Sequence, residues 1–177
     1  MAGKKYTRDY RLIDSVDERG RIRTDTEYIG AYYRFAAGYE TALAAQKRMG
    51  LFSRLAALCF LLSLLPRSTA SFTLYVTLPY LFTALPLALL LTTLYRLRCL
   101  GERLDHRAAD QSNDHIPGRC FASFLLPALA IVGEAVALLL GGAFLVGDAL
   151  FLLGALGCLV CALLCFRERK LLRAIPE

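Results

Sequence analysis

The sequence predicts an all-α integral membrane protein: a four-transmembrane-helix bundle with a small cytoplasmic N-terminal β-hairpin and an interfacial amphipathic helix. Three observations predict it. The 177 residues are 56% hydrophobic, more than a soluble domain usually carries. The apolar residues gather in long blocks from Leu51 onward, behind a polar and charged first 50 residues. The basic residues flank those blocks, as topology signals do. The chain divides accordingly into 1–50, a cytoplasmic hairpin and interfacial helix; 51–166, the transmembrane region; and 167–177, a cytoplasmic tail.

Within 1–50, residues 10–16 and 21–29 carry β-branched side chains on either side of Asp17-Glu-Arg-Gly20. Glycine at the turn and β-formers on both arms predict the hairpin. A lone hairpin is marginal in water, so it is expected to pack on the chain's own cytoplasmic loop, a second copy or a partner. After Gly30, Tyr32, Phe35, Tyr39 and Leu43 recur in steps of three or four. That spacing predicts a helix with one aromatic face, either anchored at the lipid headgroups or covering the hairpin.

Four segments are long enough for a hydrocarbon core of roughly 30 Å at about 1.5 Å of rise per residue. The first, about 51–65, is short unless Arg54 snorkels. The second, about 72–95, carries Pro79 and Pro86, each removing a helical hydrogen bond and bending the span. The third and fourth are about 121–140 and 143–166. Between the second and third, the loop 96–119 opens with Leu97, Leu100 and Leu104 as an apolar stripe, then breaks at Asp110-Gln-Ser-Asn-Asp-His-Ile-Pro-Gly118.

Of the 21 Lys and Arg residues, 11 precede or begin the first span, five lie in 96–119 and four follow Phe166. Only Arg67 remains for the opposite side. The positive-inside rule then places both termini in the cytoplasm, in a plasma or inner membrane, and an even number of spans follows. The Met-Ala-Gly-Lys-Lys start has no apolar core behind its charges, so no cleavable signal peptide is expected.

The net charge of +6 does not point to nucleic acid, because the cations border spans and do not line a phosphate groove. The expected surroundings are a lipid bilayer and a membrane-protein partner or second copy. No cofactor is expected.

Glu134 and Asp148 are the candidate site. A carboxylate inside a span costs roughly 2.5–3.5 kcal/mol on insertion scales and is rarely kept without purpose. The two lie about equally far from Gly141-Gly142, which puts them roughly 9–11 Å inside the same boundary. Small residues at 130, 137 and 141 share the face of Glu134, and small residues border Asp148, as at close helix contacts. In a low dielectric both are not ionised without a cation, and Arg67 is the candidate counter-charge. They form either a proton or cation site or a packing pair.

Leu145-Val146-Gly147-Asp148 departs at its first position from the Gly-x-Gly-Asp element of intramembrane aspartyl proteases. Cys158, Cys161 and Cys165 read as small packing residues. Cys99, His106, His115 and Cys120 lack the close pairs of a zinc module. No catalytic motif is found. Two functions are therefore expected: an accessory or structural subunit that docks a partner through its N-terminus or, alternatively, a small proton- or cation-coupled transporter that uses the carboxylates.

Overall fold

The computed structural model describes residues 9–16, 22–66, 68, 73–98, 101–140, 144 and 146–177. Strands β1 (Tyr10–Val16) and β2 (Ile22–Tyr28) pair antiparallel, with Tyr10 opposite Tyr28 and Val16 opposite Ile22. The hairpin is therefore present. Its turn, with Asp17 to Gly20, lies outside the described residues.

The expected interfacial helix is not formed. Tyr33–Phe35 is a short strand, β3, paired antiparallel with β4 (Ala174–Pro176) at the other end of the chain. Its alternation of exposed Arg34 and buried Phe35 is the strand period. The three-and-four spacing of the aromatics imitated a helix because local periodicity carries no information about a strand partner some 140 positions away. Gly38, with φ at 84°, turns the chain, and helix α1 (Tyr39–Ser63) then runs without a break through the expected first span.

Helices α2 (Leu74–Phe82) and α3 (Ala84–Arg98) form one bent run. The bend falls between the two prolines. Pro86 has no N–H to donate to residue 82, and Thr83 instead bonds to the Pro79 carbonyl through its hydroxyl (3.3 Å) and to the Tyr80 carbonyl through its N–H (3.0 Å).

The 96–119 segment is also corrected. Leu104 makes a bridge to Tyr33, and the helix resumes at His106 rather than near 121. Helix α4 (His106–Asp110) passes through one π turn (Gln111–His115) into α5 (Ile116–Leu139). The Ile116 N–H donates five residues back, to Gln111. This widened turn absorbs the polar residues and Pro117 that were expected to break the helix. Helix α6 (Val146–Glu168) ends in a 3₁₀ turn (Arg169–Leu172) before β4.

Helix α1 packs on α6 and α3, and α5 packs on α6, α2 and α3, giving a four-membered ring of antiparallel neighbours. One end of the ring carries a cap made by the hairpin, β3, β4 and the start of α4. The far end carries the end of α1, the start of α2, the end of α5 and the start of α6. Two apolar clusters stack along the axis. Leu90, Leu97, Ile116 and Leu172 fill the cap half together with Phe35, and Phe60, Tyr80, Leu87 and Phe151 fill the far half.

The surface is apolar around the ring. Leu58 and Leu62 on α1, Leu78 and Leu85 on α2 and α3, Leu129 and Val132 on α5, and Leu153 (73% exposed) on α6 all face outward. Ser53, Ser63, Thr83, Thr93 and Ser123 face inward. Leucine outside and hydroxyls inside reverse the soluble pattern. Three helical runs, Leu74–Arg98, His106–Leu139 and Val146–Leu172, are long and apolar enough to cross a membrane. Helix α1 is 25 residues long but carries Lys47, Arg48 and Arg54, which keep it short of that composition.

Candidate functional site

Glu134 on α5 and Asp148 on α6 are both fully buried, at 0% exposure. Helix α2 supplies a ruler for their depth. A Cβ on Gly133 would lie 3.1 Å from Val76, so Glu134 sits at about the level of Val76. Tyr80, one turn along α2, has its ring 4.9 Å from that of Phe151. Asp148 lies three residues from Phe151 toward the far end. Both carboxylates therefore sit roughly 4.5–6 Å beyond Tyr80, on adjacent packed helices. Ser68, in the far-end connection, is buried as well. Arg67 lies outside the described residues.

Below the carboxylates the bundle is filled. The Tyr80 ring is held between Phe60, at 5.1 Å, and Phe151. The Ser63 hydroxyl donates to the Phe60 carbonyl at 2.7 Å, so the Tyr80 hydroxyl donates to Ser63 across 2.5 Å. This short chain ends on a helix carbonyl. It fixes α1 against α2.

The small residues of α6 do what close approach requires. Gly154 lies against Ser63 and the Cys59 carbonyl, and Gly157 against the Cys59 thiol. The Cys165 thiol lies 3.5 Å from both the Ser53 hydroxyl and the Met49 carbonyl. Cys59, Cys120, Cys158, Cys161 and Cys165 are free thiols. Cys99 lies outside the described residues. Of the other residues weighed for zinc, Cys120 is buried in the cap core, His115 is exposed and His106 serves the hairpin. Among the described residues, no group of three His, Cys, Asp or Glu side chains is placed to hold a metal ion.

The expected anchor residues are not on one face. Phe35 is 5% exposed and belongs to the cap core, Tyr39 packs against that core, and Tyr32 remains at the surface under Arg103, 5.7 Å from its ring. Burial of Phe35 removes it from any lipid contact.

The cap is knitted by side chains that local sequence did not single out. The Tyr10 hydroxyl donates to Asp105 at 2.6 Å, and the same carboxylate accepts the Ala108 N–H as the N-cap of α4. The His106 N–H donates to the Tyr28 hydroxyl at 2.9 Å, and its ring lies 3.0 Å from the Asp9 carboxylate, stacked on Tyr33. The Asp105 hydrogen bond, then burial, push the Tyr10 phenol up to about 12. Burial also raises Tyr28, and the His106 N–H partly opposes this. Asn113, in the π turn, holds β4 at both backbone groups: its amide donates to the Ala174 carbonyl (3.0 Å) and its oxygen accepts the Ala174 N–H (2.9 Å). An asparagine among turn formers reads as a turn, so nothing in the sequence marked it as a clamp.

Hence the hairpin packs on Asp105 and His106 of the chain's own 96–119 segment, the first of its three expected supports. Beyond that contact, Leu12 (71% exposed) and Ile29 (59%) face outward, and β1 and β2 form a two-stranded sheet of their own. No protein-family model, no curated protein and no solved structure matches the chain, so function is read from these residues alone.

Proposed function

We propose that the chain is a multi-pass membrane protein of four spans, α1 being the fourth, with the cap and both termini in the cytoplasm. In this reading it is an accessory or structural subunit whose cap docks a membrane-protein partner. The outward leucines support residence in lipid, where packing is driven by small and polar residues inside. The clustering of basic residues at the cap end supports the orientation.

The observation that carries the docking role is the hairpin. It is secured at its base by Asp9, Tyr10 and Tyr28, yet presents Leu12, Ile29 and, among the described residues, two unpaired sheet edges. A partner strand added to such an edge gains main-chain hydrogen bonds, while the apolar side chains give it register. Held in place beforehand, the hairpin loses little freedom on binding.

The carboxylates support a structural role more than transport. They lie above a centre closed by Tyr80 and its two aromatic neighbours, and the hydroxyl chain beneath them ends on a backbone carbonyl. In the alternative reading, their shared depth makes them a proton or cation site. Two experiments separate the readings. Gentle extraction from native membranes should recover a stoichiometric partner with the wild type and not with Leu12→Lys/Ile29→Lys; recovery of the chain alone in both cases refutes docking. In reconstituted vesicles, proton or cation flux abolished by Glu134→Gln/Asp148→Asn would replace the accessory role with transport.

A further inference from the structure

A groove of about 270 Å³ runs between α1 and α3 where the cap meets the bundle. Helix α1 contributes Lys47, Gly50 and Arg54, and the antiparallel α3 contributes Leu91, Tyr95 and Arg98. The volume is below the roughly 300–1,000 Å³ of a drug-sized pocket. Its floor is open because position 50 has no side chain: a Cβ there would meet nothing within 4 Å.

The three cations are exposed, and none is in an ion pair with a carboxylate among the described residues. Lys47 and Arg54 are seven residues apart, so positive charge extends along roughly 10 Å of groove. Leu51 lies in the groove between the cations. Past Arg54 the wall becomes apolar, with Leu55 and Leu58 continuing down the outward side of α1, both exposed. Cations above an open notch, with leucines leading away from it along the helix, match a molecule with an anionic head and an acyl tail. A free anion would use the first part of that surface and not the second.

We infer that this groove binds the headgroup phosphate of an anionic phospholipid of the cytoplasmic leaflet. The inference rests on the membrane reading above. Tyr95 and Arg98, at the end of α3, lie at the depth where aromatic rings and snorkelling cations meet headgroups, and basic pockets between spans on the cytoplasmic side are suited to anionic heads. The phosphate lies among the three cations, its glycerol in the space left by Gly50, and one acyl chain follows the α1 leucines.

The test uses the full chain reconstituted into nanodiscs of phosphatidylcholine with and without phosphatidylglycerol, followed by native mass spectrometry of the released protein. The wild type should retain phosphatidylglycerol in preference to phosphatidylcholine. Neutralising each of Lys47, Arg54 and Arg98 to Gln should weaken that preference by roughly five-fold. Gly50→Leu should abolish retention with every charge in place. Far-UV circular dichroism checks that the variants keep wild-type helicity. Equal retention of both lipids by the wild type overturns the site, as does retention unchanged in both Gly50→Leu and the triple Gln variant. Displacement by inorganic phosphate as effectively as by phosphatidylglycerol also overturns it, in favour of a free anion. A chain that fails to co-float with phosphatidylcholine vesicles refutes the membrane reading itself.

Discussion

Replacing Gly154 with alanine should separate the two helices that hold the bundle together. The new Cβ would lie 2.5 Å from the Ser63 Cβ, 3.1 Å from the Cys59 carbonyl oxygen and 3.3 Å from the Ser63 Cα. Carbon pairs are most favourable at about 3.5–4.0 Å, so α1 and α6 must part by about 1 Å. Two of the three neighbours are backbone atoms, and no rotamer change relieves them. The movement would also stretch the contacts of Cys165 with Ser53 and Met49, both already at 3.5 Å. Overpacking costs about 1–3 kcal/mol, and alanine's helix preference over glycine returns about 1 kcal/mol. The expected net loss is about 0–2 kcal/mol.

Two other glycines provide internal controls. Alanine at Gly157 meets the Cys59 thiol at 3.0 Å, a side-chain atom that can rotate, so overlap and helix preference nearly cancel. Alanine at Gly50 meets nothing and should stabilise by about 1 kcal/mol. Unfolding of the three variants in detergent micelles, followed by far-UV circular dichroism, should order them Gly50→Ala above wild type, Gly157→Ala near it and Gly154→Ala below. A Gly154→Ala protein as stable as Gly50→Ala would refute the close approach of α1 and α6.

Asn113→Ala removes both hydrogen bonds to Ala174 and should cost about 2–3 kcal/mol at that site; faster amide hydrogen exchange at Ala174 and faster C-terminal proteolysis are the measurements. Tyr80→Ala should cost about 3–5 kcal/mol through the cavity between Phe60 and Phe151, whereas Tyr80→Phe, which keeps the ring, should cost about 1 kcal/mol; unfolding midpoints in the same detergent compare them. The Tyr10 phenol holds its proton more tightly in the folded chain, at about 12 against an ordinary 10. Its contribution to hairpin docking is therefore complete below pH 10 and lost as pH rises from 10 to 12. Limited proteolysis of the hairpin across that range should show the loss in the wild type, and Tyr10→Phe should flatten the part that Tyr10 contributes.

The candidate site was partly legible. Glu134 and Asp148 were marked by their cost in an apolar segment, and both are fully buried in the fold. Glycine and cysteine at helical spacing marked the faces where α6 meets α1. The groove between α1 and α3 was half visible: Arg54 stood out as a cation within an apolar block, but its neighbours Tyr95 and Arg98 come from a helix more than 40 positions away.

What the sequence alone determined follows from properties summed along a short stretch: the helical length of each apolar block, the bend forced where prolines lack an N–H, and the hairpin signalled by β-formers around a turn. Only the tertiary structure decided the cap. Tyr33–Phe35 became a strand because Ala174–Pro176 lay ready to pair with it, and 110–118 stayed helical because a π turn took up its extra residue while Asn113 bonded to Ala174. Each of those segments satisfies its backbone with a partner distant in sequence, and local patterning carries no record of such a partner.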